Sequence, residues 1–445
     1  MGFKIILVLF LIVNVVTAQN SKLGISLESA IKIALESNHD LKQIKLDKQK
    51  ADEQVRQTFG ESVLPSIEGS AVYSRAIKRS AFFLETPFFS GTFPSGTYNN
   101  LLAGVQLEQP IATASMFLAT KISKAFGELA SLTQQYSETE LVSKVKDNFY
   151  TYLLAKEYVS VAELQLRRAE ENQKNTKAMF AVGRVSEYDQ IRANVQYQNG
   201  IPAVTEAKNQ LELANNNFKI ILGLDLHTDL EIIGQLEYIK SGSTAKDIEF
   251  QKLNSSNLLL KHAEAQTKLY ELSTGFQHSQ HYPELRAFGN WQLQSQENDE
   301  RSLTNWRFIN SVSIGLNLRV PIFKGFSIDS KYQQAKIDYH KSVEALAKTK
   351  KELARDYENT LASIKKSEDQ IASYKSAVDE TERGYQIAQR RYSSGLSTQI
   401  EITDALVSVS QAKYNYINAV YLYNILQARL DLLLGKSLNE LLIGN

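Results

Sequence analysis

Two carboxylates stand at matched places in the two halves of this 445-residue chain, and a third follows the second of them. Asp189 lies in Ser186-x-x-Asp189 and Glu401 in Thr398-x-x-Glu401, with Asp404 one helical turn further on. A hydroxyl followed three residues later by an acid is a capping-box pattern, so helix starts can account for Asp189 and Glu401. Asp404 sits beyond any capping role. The candidate metal pair, His278-x-x-His281, ends a helical pattern just before Pro283 and has no third ligand at metal spacing, so it reads as a solvated surface feature. No P-loop, dinucleotide fingerprint, nucleophile elbow or HExxH occurs, so neither an enzyme nor a resident cofactor or metal is expected. With no cysteine there can be no disulfide framework, thiolate site or lipidated N-terminal Cys. Fifty basic residues against 49 acidic ones leave a charge of +1, which gives no reason to expect a nucleic-acid partner.

The elements that hold these acids are long. Seven Pro and 21 Gly are few for a loop-rich globular protein, and point to uninterrupted helices. At the N-terminus, Met1 to Lys4 form a basic start, Ile5 to Val16 an apolar run, and Val16-Thr17-Ala18 a small-residue cleavage site, so residues 1–18 read as a secretory signal peptide. Nothing later approaches the ~20 apolar residues of a spanning helix. If the mature chain enters a membrane, it does so as strands.

The second half echoes the first at a spacing of about 212 residues. Phe180 to Ala193 lines up with Tyr392 to Ala405, with aromatic, glycine, hydroxyl, acid and alanine recurring in register. Leu107-x-x-Pro110 matches Leu318-x-x-Pro321, and Leu64-Pro65 matches Tyr282-Pro283. The expected organisation is a first structural repeat over 19–222, a linker over 223–250 packing at a waist, a second repeat over 251–434 and a tail over 435–445. In the second repeat a heptad runs through 325–392 with Val343, Lys350, Tyr357, Ile364, Ile371, Val378 and Tyr385 at position a. The first repeat answers with Val145, Tyr152, Val159 and Leu166 at a and with Ala155, Ala162 and Ala169 at d. After each glycine a shorter helix returns, giving antiparallel hairpins. Residues 325–392 would make a helix of roughly 100 Å and 398–434 one of about 55 Å, so two short helices, expected over 26–60 and 251–280, would stack on the return helices to match each long one.

Four segments alternate apolar and polar residues over about ten positions: after Pro65, over 101–108, over 284–293 and over 308–320. That is the length of a tilted transmembrane strand, although a sheet in a soluble domain alternates too. Four strands cannot close a barrel, so in a membrane the chain must oligomerise. Glu68, Glu108, Glu284, Arg286 and Arg319 on the inward faces ask for a wet lumen, which favours the twelve strands of a trimer over the eight of a dimer.

The order helix, Pro, strand, loop, strand, Pro, long helix, Gly turn, helix, given twice behind a signal peptide, resembles the TolC-like outer-membrane efflux family. The resemblance covers essentially the whole mature chain, with the two Gly-turn segments as its most specific parts. It implies a mainly α fold with a membrane β-barrel: long antiparallel coiled-coil hairpins and four transmembrane strands per chain, assembled as a homotrimer with a 12-stranded barrel in outer-membrane lipid and a periplasmic α-helical tunnel. It further implies a passive export duct of a tripartite efflux or type I secretion system, coupled to an inner-membrane pump through a periplasmic adaptor. Cargo would be chosen upstream, by the pump. A structural coiled-coil envelope protein and an outer-membrane receptor are the alternative readings.

The resemblance also implies site roles. The tips would be Gly183 with Arg184 and Val185, and Gly395 with Leu396; the glycines have a structural job as left-handed helix ends, and the exposed Arg184, Val185 and Leu396 would dock the adaptor. Glu401 and Asp404 would line the periplasmic entrance in rings of three, and a Tyr392 to Asp189 contact would hold it closed. Ser397 departs from the pattern, where an Arg would tie the inner hairpin to its neighbour, so a less firmly latched entrance is expected. The loop from Arg79 to Asn100 is rich in aromatic residues, which would suit headgroup anchoring or a lid over the outer mouth, and packing among its own rings is its simplest reading.

Overall fold

A computed structural model describes residues 23–240 and 255–436. The signal peptide read over 1–18 lies outside them, as do residues 241–254 of the linker and the helix start, and 437–445 of the tail. The chain begins with β1 (Leu23–Ile25) and two helices, α1 (Leu27–Ser37) and α2 (His39–Val63). It then enters β2 (Ser66–Arg75), a hairpin of β3 (Ser80–Thr86) and β4 (Phe89–Ser95), and β5 (Asn99–Thr113). The first long helix, α3 (Ala114–Ala181), returns as α4 (Glu187–Leu222) and is followed by β6 (Leu230–Ile232). The second half gives α5 (Leu258–Ser279), β7 (Glu284–Glu297), β8 (Ile309–Arg319), the long α6 (Ser327–Ser393) and its return α7 (Gln399–Leu433).

From Tyr357 onward the heptad residues of α6 form the seam, whereas Val343 and Lys350, expected at position a, are exposed and correct the heptad at its start. Tyr357, Ile364, Ile371 and Tyr385 of α6 are buried, as are Ile402, Leu406, Val409, Val420 and Tyr423 of α7. In α3 the small d residues Ala155, Ala162 and Ala169 are buried and let neighbouring helices approach closely. At 68 and 67 residues, α3 and α6 each run about 100 Å. Their 36- and 35-residue return helices cover about half of that. α2 and α5 pack on the long helices as well, α2 on α3 and α5 on both α3 and α6.

How the short helices meet the return helices corrects the expectation of one helix over 26–60. Asn38 breaks it. The Asn38 Oδ1 accepts from the Leu41 N–H at 2.9 Å, capping α2, while its Nδ2 donates to the Ile221 carbonyl at the end of α4, also at 2.9 Å. Asn257 repeats the arrangement, capping α5 through Leu260 N–H at 2.9 Å and reaching the Leu433 carbonyl of α7 at 2.8 Å. Each asparagine thus serves the free donors of one helix and the free acceptors of another. Gly223 and Gly435 end the return helices at φ 69° and 62°, and a Cβ on either would run into the Ser37 or the Ser256 carbonyl. Gly223→Ala combines left-handed strain with that clash and is expected to cost about 2–3 kcal/mol. Gly60→Ala in α2, with nothing near its Cβ, should be neutral or slightly stabilising. Thermal melting followed by circular dichroism distinguishes the two.

Near these junctions the core gathers Ile31, Leu41, Val145, Phe149, Phe218 and Leu222, closed by the parallel pair β1 and β6 through Ile25, Leu230 and Ile232. The chain after β6 crosses to the second hairpin, where Tyr423 donates to the Ile239 carbonyl at 3.3 Å and Asn424 to the Glu237 carbonyl at 3.2 Å.

All four alternating segments form one antiparallel sheet in the order β2-β5-β7-β8. Its register sorts the side chains. Glu68, Gln106, Asn290 and Ser313 make one row across the sheet, on the face that also carries Glu108, Glu284, Arg286 and Arg319. The next row, Gly69, Val105, Trp291 and Val312, lies on the other face with Ile67, Leu107 and Ile314. One face is polar and the other apolar, yet the apolar residues are exposed, Ile314 at 86%.

The aromatic stretch 79–100 corrects the expectation of a loop: β3 and β4 pair from Ser80↔Ser95 to Thr86↔Phe89 as a separate two-stranded sheet. The expected ring packing is present, with Phe93 5.6 Å from Phe82 and 5.3 Å from Phe89.

Candidate functional site

The end of the molecule opposite the sheet is made by two turns of the same construction. Gly183 and Gly395 take φ of 72° and 75°. The Gly183 N–H donates to the Phe180 carbonyl at 2.8 Å and Arg184 N–H to Met179 at 2.9 Å; Gly395 to Tyr392 at 2.9 Å and Leu396 to Arg391 at 2.8 Å repeat it. These are Schellman ends, in which a left-handed residue lets two N–H groups turn back onto the last carbonyls. Nothing lies near either glycine's Cβ position, so backbone conformation is what asks for glycine there.

Each turn feeds a capped helix. Asp189 N–H donates to Ser186 Oγ at 3.2 Å, and the Asp189 carboxylate accepts from the Ser186 hydroxyl at 2.7 Å and its N–H at 3.3 Å, a complete capping box. At the second turn Glu401 accepts from Ser397 Oγ at 2.6 Å and from Thr398 Oγ1 at 3.4 Å. The Ser397 bond, then the Thr398 N–H and the Arg391 charge, hold the Glu401 carboxyl below its ordinary 4.5 despite slight desolvation. A lowered folded-state value stabilises the folded tip above the ordinary value and fades as pH falls through and below 4.5. Amide exchange at residues 397–402 should therefore quicken between pH 7 and pH 3.5, and Glu401→Gln should flatten that dependence.

Asp404 is exposed one turn above Glu401 on α7. Tyr392 is buried, and its hydroxyl shares a hydrogen bond with Thr176 Oγ1 at 3.2 Å; Thr176 in turn lies 3.4 Å from Gln399 Oε1. Burial raises the Tyr392 phenol, the Thr176 bond draws it part-way back, and the nearby Asp189 charge raises it again. The expected Tyr392 to Asp189 contact is thus corrected within the chain: Asp189 hydrogen-bonds its own cap and Tyr392 bonds Thr176. Val185 is corrected as well. It is half-buried against the cluster that includes Tyr385, Tyr392 and Ile402, and the exposed apolar residue of that turn is Val182, as Leu396 is of the other. Arg184 is exposed.

A tie between the hairpins lies above the tip, which the sequence alone does not show. Glu382 of α6 receives Arg168 of α3 and, at 3.3 Å, Lys413 of α7, all three side chains being less than a third exposed. Arg168 also lies over the Tyr385 ring at 4.6 Å. Burial alone would raise the Glu382 carboxyl, but the Arg168 and Lys413 bonds and charges outweigh it and leave it below the ordinary value. The available signal was position: Glu382 precedes the a residue Tyr385 by three, the e position from which charges reach across coiled coils. Tyr158 against Tyr414, at 5.0 Å, and Thr151 to Tyr421, at 3.2 Å, extend the α3 to α7 seam upward.

His278 and His281 sit with ring centres 5.7 Å apart beside Tyr332. No group of three potential metal ligands exists among the described residues.

Long paired hairpins ending in two matched turns, with a four-stranded amphipathic sheet at the other end, have known counterparts. The family described as "Outer membrane efflux protein" matches the chain over residues 30–224 and 250–436. The chain belongs to that family. Outer-membrane location and a role in efflux come with membership. Among relatives, "Outer membrane protein TolC" of Vibrio cholerae serotype O1 is 23% identical over 330 residues, covering 72% of this chain and 75% of that protein. The Campylobacter jejuni CmeC outer membrane channel shares the fold with a TM-score of 0.79 at 19% identity, over 92% of this chain and 85% of that one. The Neisseria gonorrhoeae MtrE outer membrane channel, solved in its open state, gives 0.75 at 16% identity, over 92% of this chain and 88% of that one. The efflux-family chain described here keeps the fold at low identity, so its Glu382 tie and its Ser397 to Glu401 bond have to be read from its own residues.

Proposed function

We propose that three copies of this efflux-family chain form a passive, gated export duct: a 12-stranded barrel in the outer membrane continued by a periplasmic helical tunnel. The sheet carries the proposal. Its apolar face is exposed on β2 and β8 and at Val105, Leu107 and Trp291 between them, its polar face bears Glu108 and Arg286 at 3.4 Å, and the outer edges of β2 and β8 have no partner strand among the described residues. In hydrocarbon those edges must pair, and with strands alternating in direction, β8 of one copy meets β2 of the next antiparallel, so the ring closes without a free edge. The polar faces then line the lumen and the apolar faces meet lipid.

In this reading the two repeats are equivalent structural units, and the turns at Gly183 and Gly395, with Val182, Arg184 and Leu396 outermost, dock a periplasmic adaptor that couples the duct to an inner-membrane pump. The duct moves cargo and performs no chemistry on it. Glu401 and Asp404, repeated threefold, would place acids around the entrance and favour cations there. Ser397 donates its hydroxyl to Glu401 of its own chain, at the helix start that Thr398 caps, and is too short to tie to a neighbouring copy as an Arg would. Ser397→Arg is accordingly expected to lower the basal single-channel conductance by adding a tie between copies.

Native mass spectrometry of the detergent-solubilised mature protein tests the assembly. Three copies are expected; one or two would exclude a closed 12-stranded barrel.

A further inference from the structure

The two return helices differ at one matched point. Counting 212 residues on from α4 sets Gly200 against Ala412 of α7 and Pro202 against Tyr414. At that level α7 is pinned: Ala412 is buried, Lys413 reaches Glu382 at 3.3 Å, and Tyr414 meets Tyr158 edge-on with ring centres 5.0 Å apart. α4 instead carries Pro202 inside the helix. A proline there has no N–H for the carbonyl four residues back, here that of Gln198, and its ring crowds the same carbonyl, so helices bend at such points. Gly200, two residues earlier, adds backbone freedom and lets α4 sit close on α3, since a Cβ on it would come within 2.9 Å of Leu166 Cδ1.

Packing changes across this break. On the side away from the tip α4 is anchored: Val204, Ala214, Phe218 and Leu222 are buried, and Lys208 pairs with Glu163 of α3 at 2.9 Å. On the tip side, over residues 187–199 or about 20 Å of helix, Ala193 alone is buried. Tyr188, Ile191 and Val195 are exposed there. The side-chain ties of that segment to α3 and α7 are polar, from Gln173 Nε2 to Asn194 Oδ1 at 2.8 Å and from Thr403 Oγ1 to Gln196 Oε1 at 3.2 Å. At the same height Tyr385, Tyr392, Ile402, Leu406 and Val409 bury one another in a single cluster between α6 and α7. A fold opens first where buried apolar contacts are fewest.

Resting on the gated duct proposed above, we propose that residues 200–202 form a hinge: when the entrance opens, α4 bends there and its segment 187–199 moves as a flap, while α7 stays a straight strut. The two repeats then share a construction but divide the labour, one return helix yielding and the other holding.

Pro202→Ala tests this, because it returns an N–H to the Gln198 carbonyl at an exposed site and stiffens the joint without touching the core. Glu212→Ala, on an exposed position of α4 beyond the hinge, controls for general stabilisation of the helix. Amide exchange is followed on the detergent-solubilised mature protein and open probability in planar bilayers. In the wild type, residues 191–199 are expected to exchange about tenfold faster than the matched residues 403–411. Pro202→Ala should slow the first segment about fivefold, leave the second unchanged and lower open probability about threefold, whereas Glu212→Ala changes none of the three. Equal exchange of the two segments in the wild type overturns the hinge. Slower exchange in Pro202→Ala with open probability unchanged or raised overturns its part in gating. An absence of conductance in every variant, the wild type included, would sink the duct itself and the gating role with it, whatever the exchange pattern.

Discussion

Ile314→Arg is expected to keep the chain out of the outer membrane, whereas Ser313→Arg, its neighbour on the opposite face, leaves insertion intact. The two positions are adjacent on β8, so strand propensity and turn chemistry barely differ between them. What differs is the face. Ile314 shares a row with Ile67, Leu107 and Gly289, Ser313 with Glu68, Gln106 and Asn290. A guanidinium at mid-membrane on a lipid-facing strand costs about 2–4 kcal/mol, and a trimer would carry that cost three times over. On the polar face the same side chain meets water and the existing carboxylates Glu68 and Glu108. Fractionating outer membranes and measuring the protease-resistant, membrane-integrated fraction decides it. Equal insertion of both variants would mean that the two faces do not see different solvents.

Glu382→Ala is expected to open the duct. Removing the carboxylate leaves Arg168 and Lys413 facing each other across the hairpin seam, largely out of water, a loss of about 2–3 kcal/mol for a pair so placed. If that energy holds the hairpins together in the closed arrangement, the closed-to-open equilibrium shifts roughly 30- to 150-fold. Lys413→Ala should do less, since Glu382 keeps Arg168 and loses the second cation only. Tyr392→Phe, which removes one hydroxyl bond to Thr176, should shift the equilibrium by about 1 kcal/mol. Open probability in planar bilayers ranks the three variants. The reverse ranking would place the latch at the tip.

Much of this architecture can be read from residue order because its periods are long and regular. Tyr357, Ile364, Ile371 and Tyr385 mark the α6 seam at sevens, and Ser313, Asn317 and Arg319 against Val312, Ile314 and Leu316 mark β8 at twos. The two glycine turns stand out because the chain repeats them. What escapes a linear reading depends on partners far away in sequence. Asn38 looks like an ordinary helix residue until the Ile221 carbonyl, 183 positions on, gives its amide a second use. Glu382 is one of many surface-type acids until Arg168 arrives from the other repeat. Val185 and Val182 flank the same glycine, and which of them faces inward is set by the rotation that its left-handed conformation imposes. In the aromatic hairpin the adjacent pair Phe82-Phe83 masks the alternation, so a strand reads as a loop. The family resemblance implies a Tyr392 to Asp189 contact, and here local capping by Ser186 competes for the same carboxylate.

Conductance of the purified mature protein in planar bilayers, with the copy number determined on the same sample, tests the central claim most directly. A gated export duct predicts a trimer with a small, cation-selective conductance that rises in Glu382→Ala. A monomer or dimer that does not conduct in either form would contradict it and leave a structural envelope stalk as the better account of the helices.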